Sequence, residues 1–77
     1  MTKLPSISGK KLISVLKKAG FTEVKQRSSH VSLIKLTREK TYKTVVPLHK
    51  TIAKGTLFDI LHQTGISKEE LIRLMEG

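Results

Sequence analysis

Cysteine is absent from the 77 residues, which excludes a disulfide framework, thiol catalysis, and zinc or iron–sulfur sites built on thiolates. Aromatic residues are almost absent. Phe21, Tyr42 and Phe58 are the whole set, too few for a platform on which single-stranded bases stack. Acidic residues number six, and none of them pairs in a spacing that suggests acid–base carboxylates or a divalent-metal cluster. The five glycines are scattered, so no glycine-rich phosphate loop is present. Histidines at 30, 49 and 62 stand too far apart to suggest zinc without cysteine. No apolar run approaches the ~18 residues of a membrane-spanning helix, and the N-terminus lacks the apolar core of a signal peptide. The expectation is one small domain over residues 1–77, cytoplasmic, with no cofactor, no metal and no membrane partner.

What the chain does have is positive charge. Fifteen Lys and Arg against six Asp and Glu give a formal net charge of +9. The distribution is uneven: residues 1–54 carry 13 of the basic and only 2 of the acidic residues, and residues 55–77 carry 2 and 4. A basic two-thirds suits a polyanion, and nucleic acid is the first candidate. An anionic membrane would call for a basic helix with bulky apolar anchors.

Periodicity supplies the elements. From Ser8 to Ala19, the residues Leu12, Ile13, Val15, Leu16 and Ala19 fall on one helical arc, with four lysines opposite. Ser8 or Ser6 can cap the start, and Gly20 can end it. The period then changes. Phe21–Gln26, Ser29–Leu36 and Thr41–Val46 are rich in Val, Ile, Thr and Tyr, and their short connections demand an antiparallel meander. Val31 and Leu33 share one face of the middle strand; His30, Ile34 and Leu36 share the other, so a bulge, a twist or a partner is expected there. Pro47 closes the third strand. A second helix is expected over Gly55–Thr64, with Leu57, Phe58, Ile60, Leu61 and Thr64 as its apolar side and Gly65 as its stop. Gly55 suggests tight packing against the sheet. Ser67 and Glu70 have capping-box spacing and open a short third helix. The fold class is therefore α+β: a three-stranded antiparallel sheet with helices on one face, ordered α-β-β-β-α plus a short C-terminal helix. That order is the layout of double-stranded-RNA-binding domains. The core should include Leu12, Val15, Leu16, Val31, Leu33, Leu57, Ile60 and Leu61.

Histidine alone among side chains has an unperturbed pKa near neutrality, so the three histidines are the first candidates for acid–base work. His62 lies on the polar side of its helix and reads as surface. His49 follows Pro47 in a connector with Lys50 and Lys54, where His49 and Lys54 can contact phosphate or simply face water. His30 stands just after a turn at the start of the central strand, with Lys25, Arg27, Ser29 and Lys35 near in sequence. In metal-free RNA cleavage a base takes the 2′-hydroxyl proton and cations stabilise charge growing on the phosphate. His30 with those neighbours has the right residue types, and a purely structural or exposed histidine has the same local signature.

The run Leu12 to Gly20-Phe21, then Gln26-Arg27-Ser28-Ser29-His30, Val46-Pro47-Leu48-His49, Lys54-Gly55-Thr56-Leu57 and Ile60-Leu61 to Gly65-Ile66 resembles the HicA (YcfA-like) toxins. The likeness spans nearly the whole chain, in order and spacing. It implies a small mRNA interferase of a toxin–antitoxin system, a HicB-type antitoxin as partner, mRNA as substrate, and His30 as the catalytic histidine of a motif usually written Gly-Ser-His. Here Ser28 stands where the family usually has glycine. If that site needs a positive φ, serine costs about 1 kcal/mol or more. Two other readings remain: a non-catalytic RNA-binding module of the same fold, and an interaction subunit docked through Ile34, Leu36 or the acidic tail.

Overall fold

In the computed structural model, which describes residues 3–76, the order is α1 (Gly9–Lys18), β1 (Thr22–Arg27), β2 (His30–Leu36), β3 (Thr41–Pro47), α2 (Lys54–Thr64) and α3 (Lys68–Glu76). The three strands form one antiparallel sheet in the order β1-β2-β3, as the short connections require. Helices α1 and α2 pack on the sheet, and α3 lies against α1.

Two of the three helix starts carry a serine cap. The Ser8 hydroxyl accepts a hydrogen bond from the Lys11 amide at 3.1 Å, satisfying one of the free donors of the first turn of α1. Ser67 accepts from the Glu70 amide in the same way at the start of α3. Gly65 ends α2 in the left-handed conformation, with its amide donating to the Leu61 carbonyl.

The core joins the apolar arcs of the helices to the inner face of the sheet. All eight core residues expected from periodicity are buried, and Ile7, Ile13, Phe21, Val46, Ile52, Ile66 and Leu71 complete the core. Phe21 belongs to the core just before β1. Two expectations fail. Phe58 is 54 % exposed, because α2 buries Leu57, Ile60, Leu61 and Thr64 on a narrower arc; the Lys68 ammonium covers the Phe58 ring at 5.5 Å. Gly55 packs against nothing: a Cβ there would have open space.

Tight packing sits instead at Gly9. A Cβ on Gly9 would clash with the Pro47 carbonyl oxygen and lie 2.9 Å from the Leu48 Cα. The Gly9 amide donates to the His49 carbonyl at 2.9 Å, so the start of α1 is seated directly on the backbone leaving β3. The polar Thr44 is buried on the inner face of β3, where its hydroxyl donates to the Gln63 side-chain oxygen at 2.8 Å.

Candidate active site on the open face of the sheet

Alternation along β2 places Val31 and Leu33 in the core and leaves His30, Ser32 and Ile34 on the face that no helix covers. His30 is exposed there. It pairs with Arg27 across the β1–β2 hairpin and with Pro47 on β3. Directly opposed residues share a face, so Arg27 stands beside His30. The next pair, Lys25 with Ser32, follows along the same face, with Val45 opposite Ser32 on β3.

The register of β1 is not uniform. It shifts between Glu23 and Lys25, with Val24 as the extra residue. The ladder of β2 with β3 is regular, so Ile34 and Leu36 stand on the open face with His30, and the bulge lies in β1 instead. With a regular ladder in place of the bulge, Glu23 would stand opposite Ile34 on the His30 face, whereas Lys25, two residues from Arg27, keeps its side by alternation.

Two backbone features hold His30. The Leu48 amide donates to the Ser29 carbonyl at 2.7 Å, tying the hairpin turn to the exit of β3. Within the turn Ser28 has φ 57°, the only positive φ outside glycine among the described residues. A two-residue hairpin loop with positive φ at its first position only has the pattern of a type II′ turn, which favours glycine there. The strain expected of serine at this site is therefore present. Ser28→Gly should relieve it and stabilise the fold by about 1 kcal/mol net of the extra chain entropy, roughly 4–8 °C in Tm. Thermal unfolding of the two proteins checks this; an unchanged or lower Tm for the glycine variant would refute it.

His30, Lys25, Arg27 and Ser29 line one cleft of about 490 Å³ together with Ser28, Ser32 and Val45. Four of the residues singled out in the sequence are thereby brought together. The other three are not. Lys35 alternates onto the opposite side of β2 from His30, where its ammonium lies 5.9 Å from the Phe21 ring. His49 borders a separate concavity with Ser8, Lys10, Leu48 and Lys50 at the start of α1. Lys54 is the exposed first residue of α2 and lines neither. Ser32 and Val45 were not singled out. Ser32 is two residues from His30 and so shares its face by period alone; Val45 needs the β2–β3 register.

The cleft carries cations and no acid. Among the described residues the nearest acid on β1, Glu23, sits before the bulge and pairs with Lys17 of α1 at 3.1 Å. Lys25 and Arg27 enter neither of the two ion pairs seen there. No group of three or more His, Cys, Asp or Glu is placed to hold a metal ion among these residues.

A three-stranded sheet with helices on one side and a histidine flanked by cations on the other defines a small α+β domain of the double-stranded-RNA-binding layout, with a basic cleft suited to phosphate. The family described as HicA toxin of bacterial toxin–antitoxin matches residues 9–66, which contain the whole sheet and the cleft. The chain belongs to the HicA toxin family of bacterial toxin–antitoxin systems. Comparison with curated proteins finds no match. No helix among the described residues is long and apolar enough to cross a membrane.

Proposed function

We propose that the protein is an endoribonuclease, an mRNA interferase acting in the cytoplasm, with His30 as general acid–base. The observation that carries this reading is the gathering of His30, Lys25, Arg27 and Ser29 in one cleft on the uncovered face of the sheet. His30 takes the proton of a ribose 2′-hydroxyl as that oxygen attacks the adjacent phosphorus. The bond from phosphorus to the 5′ oxygen breaks, and the proton is delivered to that leaving oxygen. A 2′,3′-cyclic phosphate and a 5′-hydroxyl end result. Lys25 and Arg27 neutralise the charge that grows on the phosphate, and Ser29 supports the position of the histidine and the sugar–phosphate chain. The chemistry calls for no metal and no cofactor.

The test is paired induction of the parent and a His30→Ala variant in a host cell, following growth and mRNA integrity. Arrest and fragmentation with the parent alone support the reading; neither effect from a folded parent overturns it.

Family membership implies a cognate antitoxin. In our reading it is a HicB-type protein whose acidic residues meet Lys25 and Arg27, and whose apolar residues cover Ile34 and Leu36 on the same face. Leu36 is 75 % exposed, an unusual position for a large aliphatic side chain. Toxin and antitoxin should elute as one complex that survives moderate salt, because apolar burial is not screened; two separate peaks at low salt would contradict this.

The second reading, an RNA-binding module without catalysis, is favoured by the basic surface alone. It predicts a salt-dependent affinity and intact RNA. In either case binding of single-stranded RNA by the His30→Ala protein should weaken with salt. Removing Lys25 or Arg27 should reduce the log–log slope by about 0.7 each, by counterion release. A slope unaltered by both changes would show that RNA lies elsewhere on the molecule.

A further inference from the structure

Where the chain leaves β3, a second concavity of about 270 Å³ is lined by Ser8, Lys10, Leu48, His49 and Lys50. Two distant segments build it: the start of α1 and the connector that follows Pro47. The Gly9 amide locks them together by donating to the His49 carbonyl at 2.9 Å. One hydrogen bond joins this space to the His30 hairpin. Leu48 lines the concavity, Ser29 lines the His30 cleft, and the Leu48 amide donates to the Ser29 carbonyl at 2.7 Å. His30 stands opposite Pro47 in the ladder, so the Cα atoms of His30 and His49 are at most about 13 Å apart. A single RNA strand covers that distance in a few nucleotides.

The concavity is basic and its charge is uncompensated. Lys10, His49 and Lys50 are exposed, and the stretches that carry them, residues 1–22 and 40–58, contain no acid. Neither lysine enters the two ion pairs seen among the described residues. The Ser8 hydroxyl accepts from the Lys11 amide, which leaves its own hydrogen to donate. The helix end itself adds little, because the Gly9 and Lys11 amides are already bonded to the His49 carbonyl and to Ser8. Side chains make the site. Two ammonium groups, an imidazole and a hydroxyl line one small space, a donor set suited to a phosphate.

We propose that this concavity is a second phosphate subsite on the RNA track, holding a backbone phosphate a few nucleotides from the one at His30. Lys10, Lys50 and His49 meet its oxygens, with Ser8 as a further donor. The proposal rests on the reading that the His30 cleft holds an RNA phosphate, and it adds substrate length to that reading. A strand must reach past the hairpin to be gripped fully. An acidic protein segment would meet the same cations. A nucleic-acid strand, however, carries evenly spaced anions that occupy both spaces at once, and the half-buried Leu48 is the only apolar side chain here to anchor a protein.

The test uses the His30→Ala protein and 2′-O-methyl RNA, which lacks the attacking hydroxyl, as a hexanucleotide and as a dinucleotide. Lys10→Gln and Lys50→Gln should each weaken hexanucleotide binding by about threefold and lower its log–log salt slope by about 0.7. The effect should shrink with the dinucleotide, which is too short to fill both spaces. Lys40→Gln removes the same charge at the opposite hairpin, between β2 and β3, and should act much less. All three lysines are exposed, so the fold should hold. The His49 ring resonances should shift more with the hexanucleotide than with the dinucleotide. Equal losses for the three lysine variants would reduce the effect to net charge and overturn the subsite. Hexanucleotide binding that ignores Lys10→Gln and Lys50→Gln but responds to loss of Lys25 or Arg27 also overturns it, and leaves the ribonuclease reading standing. Cleavage by the parent is scored separately: length-dependent losses in a protein that cuts nothing support the subsite and overturn only the ribonuclease reading. If the two substitutions weaken only the antitoxin complex, the concavity docks protein and the proposal fails.

Discussion

Replacing His30 by alanine is expected to lower RNA cleavage by about 10²–10⁴-fold, the range that a positioned proton-transfer group contributes. The expected loss is in the chemical step, because phosphate attraction by Lys25 and Arg27 remains. RNA binding should therefore change little at fixed salt while the cut products disappear. Folding should also survive: the His30 side chain is exposed, and its backbone pairing with Arg27 and Pro47 does not depend on the imidazole. Matching circular dichroism and thermal unfolding would certify that. An alanine variant that still cuts at the parent rate would remove His30 from the chemistry and leave the non-catalytic reading in its place.

The largest structural effect is expected at Gly9. An alanine there forces a methyl against the Pro47 carbonyl and the Leu48 Cα, atoms of the main chain that cannot rotate away. Relief requires separating α1 from the end of β3, which also stretches the Gly9–His49 hydrogen bond. The cost should be about 3 kcal/mol, the upper range for overpacking, or roughly 12–24 °C in Tm for a domain of this length. Leu48 is also the residue whose amide holds Ser29. The displacement thus reaches the hairpin that carries His30, and cleavage should fall in the folded fraction as well. Gly55→Ala is the control: its Cβ meets nothing and alanine favours the helix, so Tm should hold or rise slightly. Equal melting temperatures for Gly9→Ala and the parent would show that the close approach is not maintained in solution.

The glycines show where legibility stopped. Gly20 and Gly65 take positive φ just after α1 and at the end of α2, as their places after apolar periodic runs announce. Gly9 and Gly55 look alike in the sequence, each near a helix start, yet one meets a backbone more than thirty residues away and the other meets solvent. Nothing local separates them. Phe58 is a similar case: it sits at the border of the apolar arc, and only the placement of α2 against β3 decides that the ring is left outside. The site divides along the same line. Arg27, Ser29 and His30 could be gathered from the sequence because a two-residue turn keeps them together. Lys35 could have been excluded by the same period, since five residues along a strand reverse the face.

The sequence by itself determined the elements, the antiparallel meander, most of the core, the basic character and the family, because each of these follows from periodicity, short connections, composition or residue order. Tertiary structure decided the rest of the site. The Val24 bulge sets the side on which Glu23 stands and keeps that acid off the His30 face. The β2–β3 register brings Val45 beside Ser32, and the approach of Leu48 to Ser29 locks the turn. These depend on pairing between distant segments, and a single residue of register exchanges one face of a strand for the other.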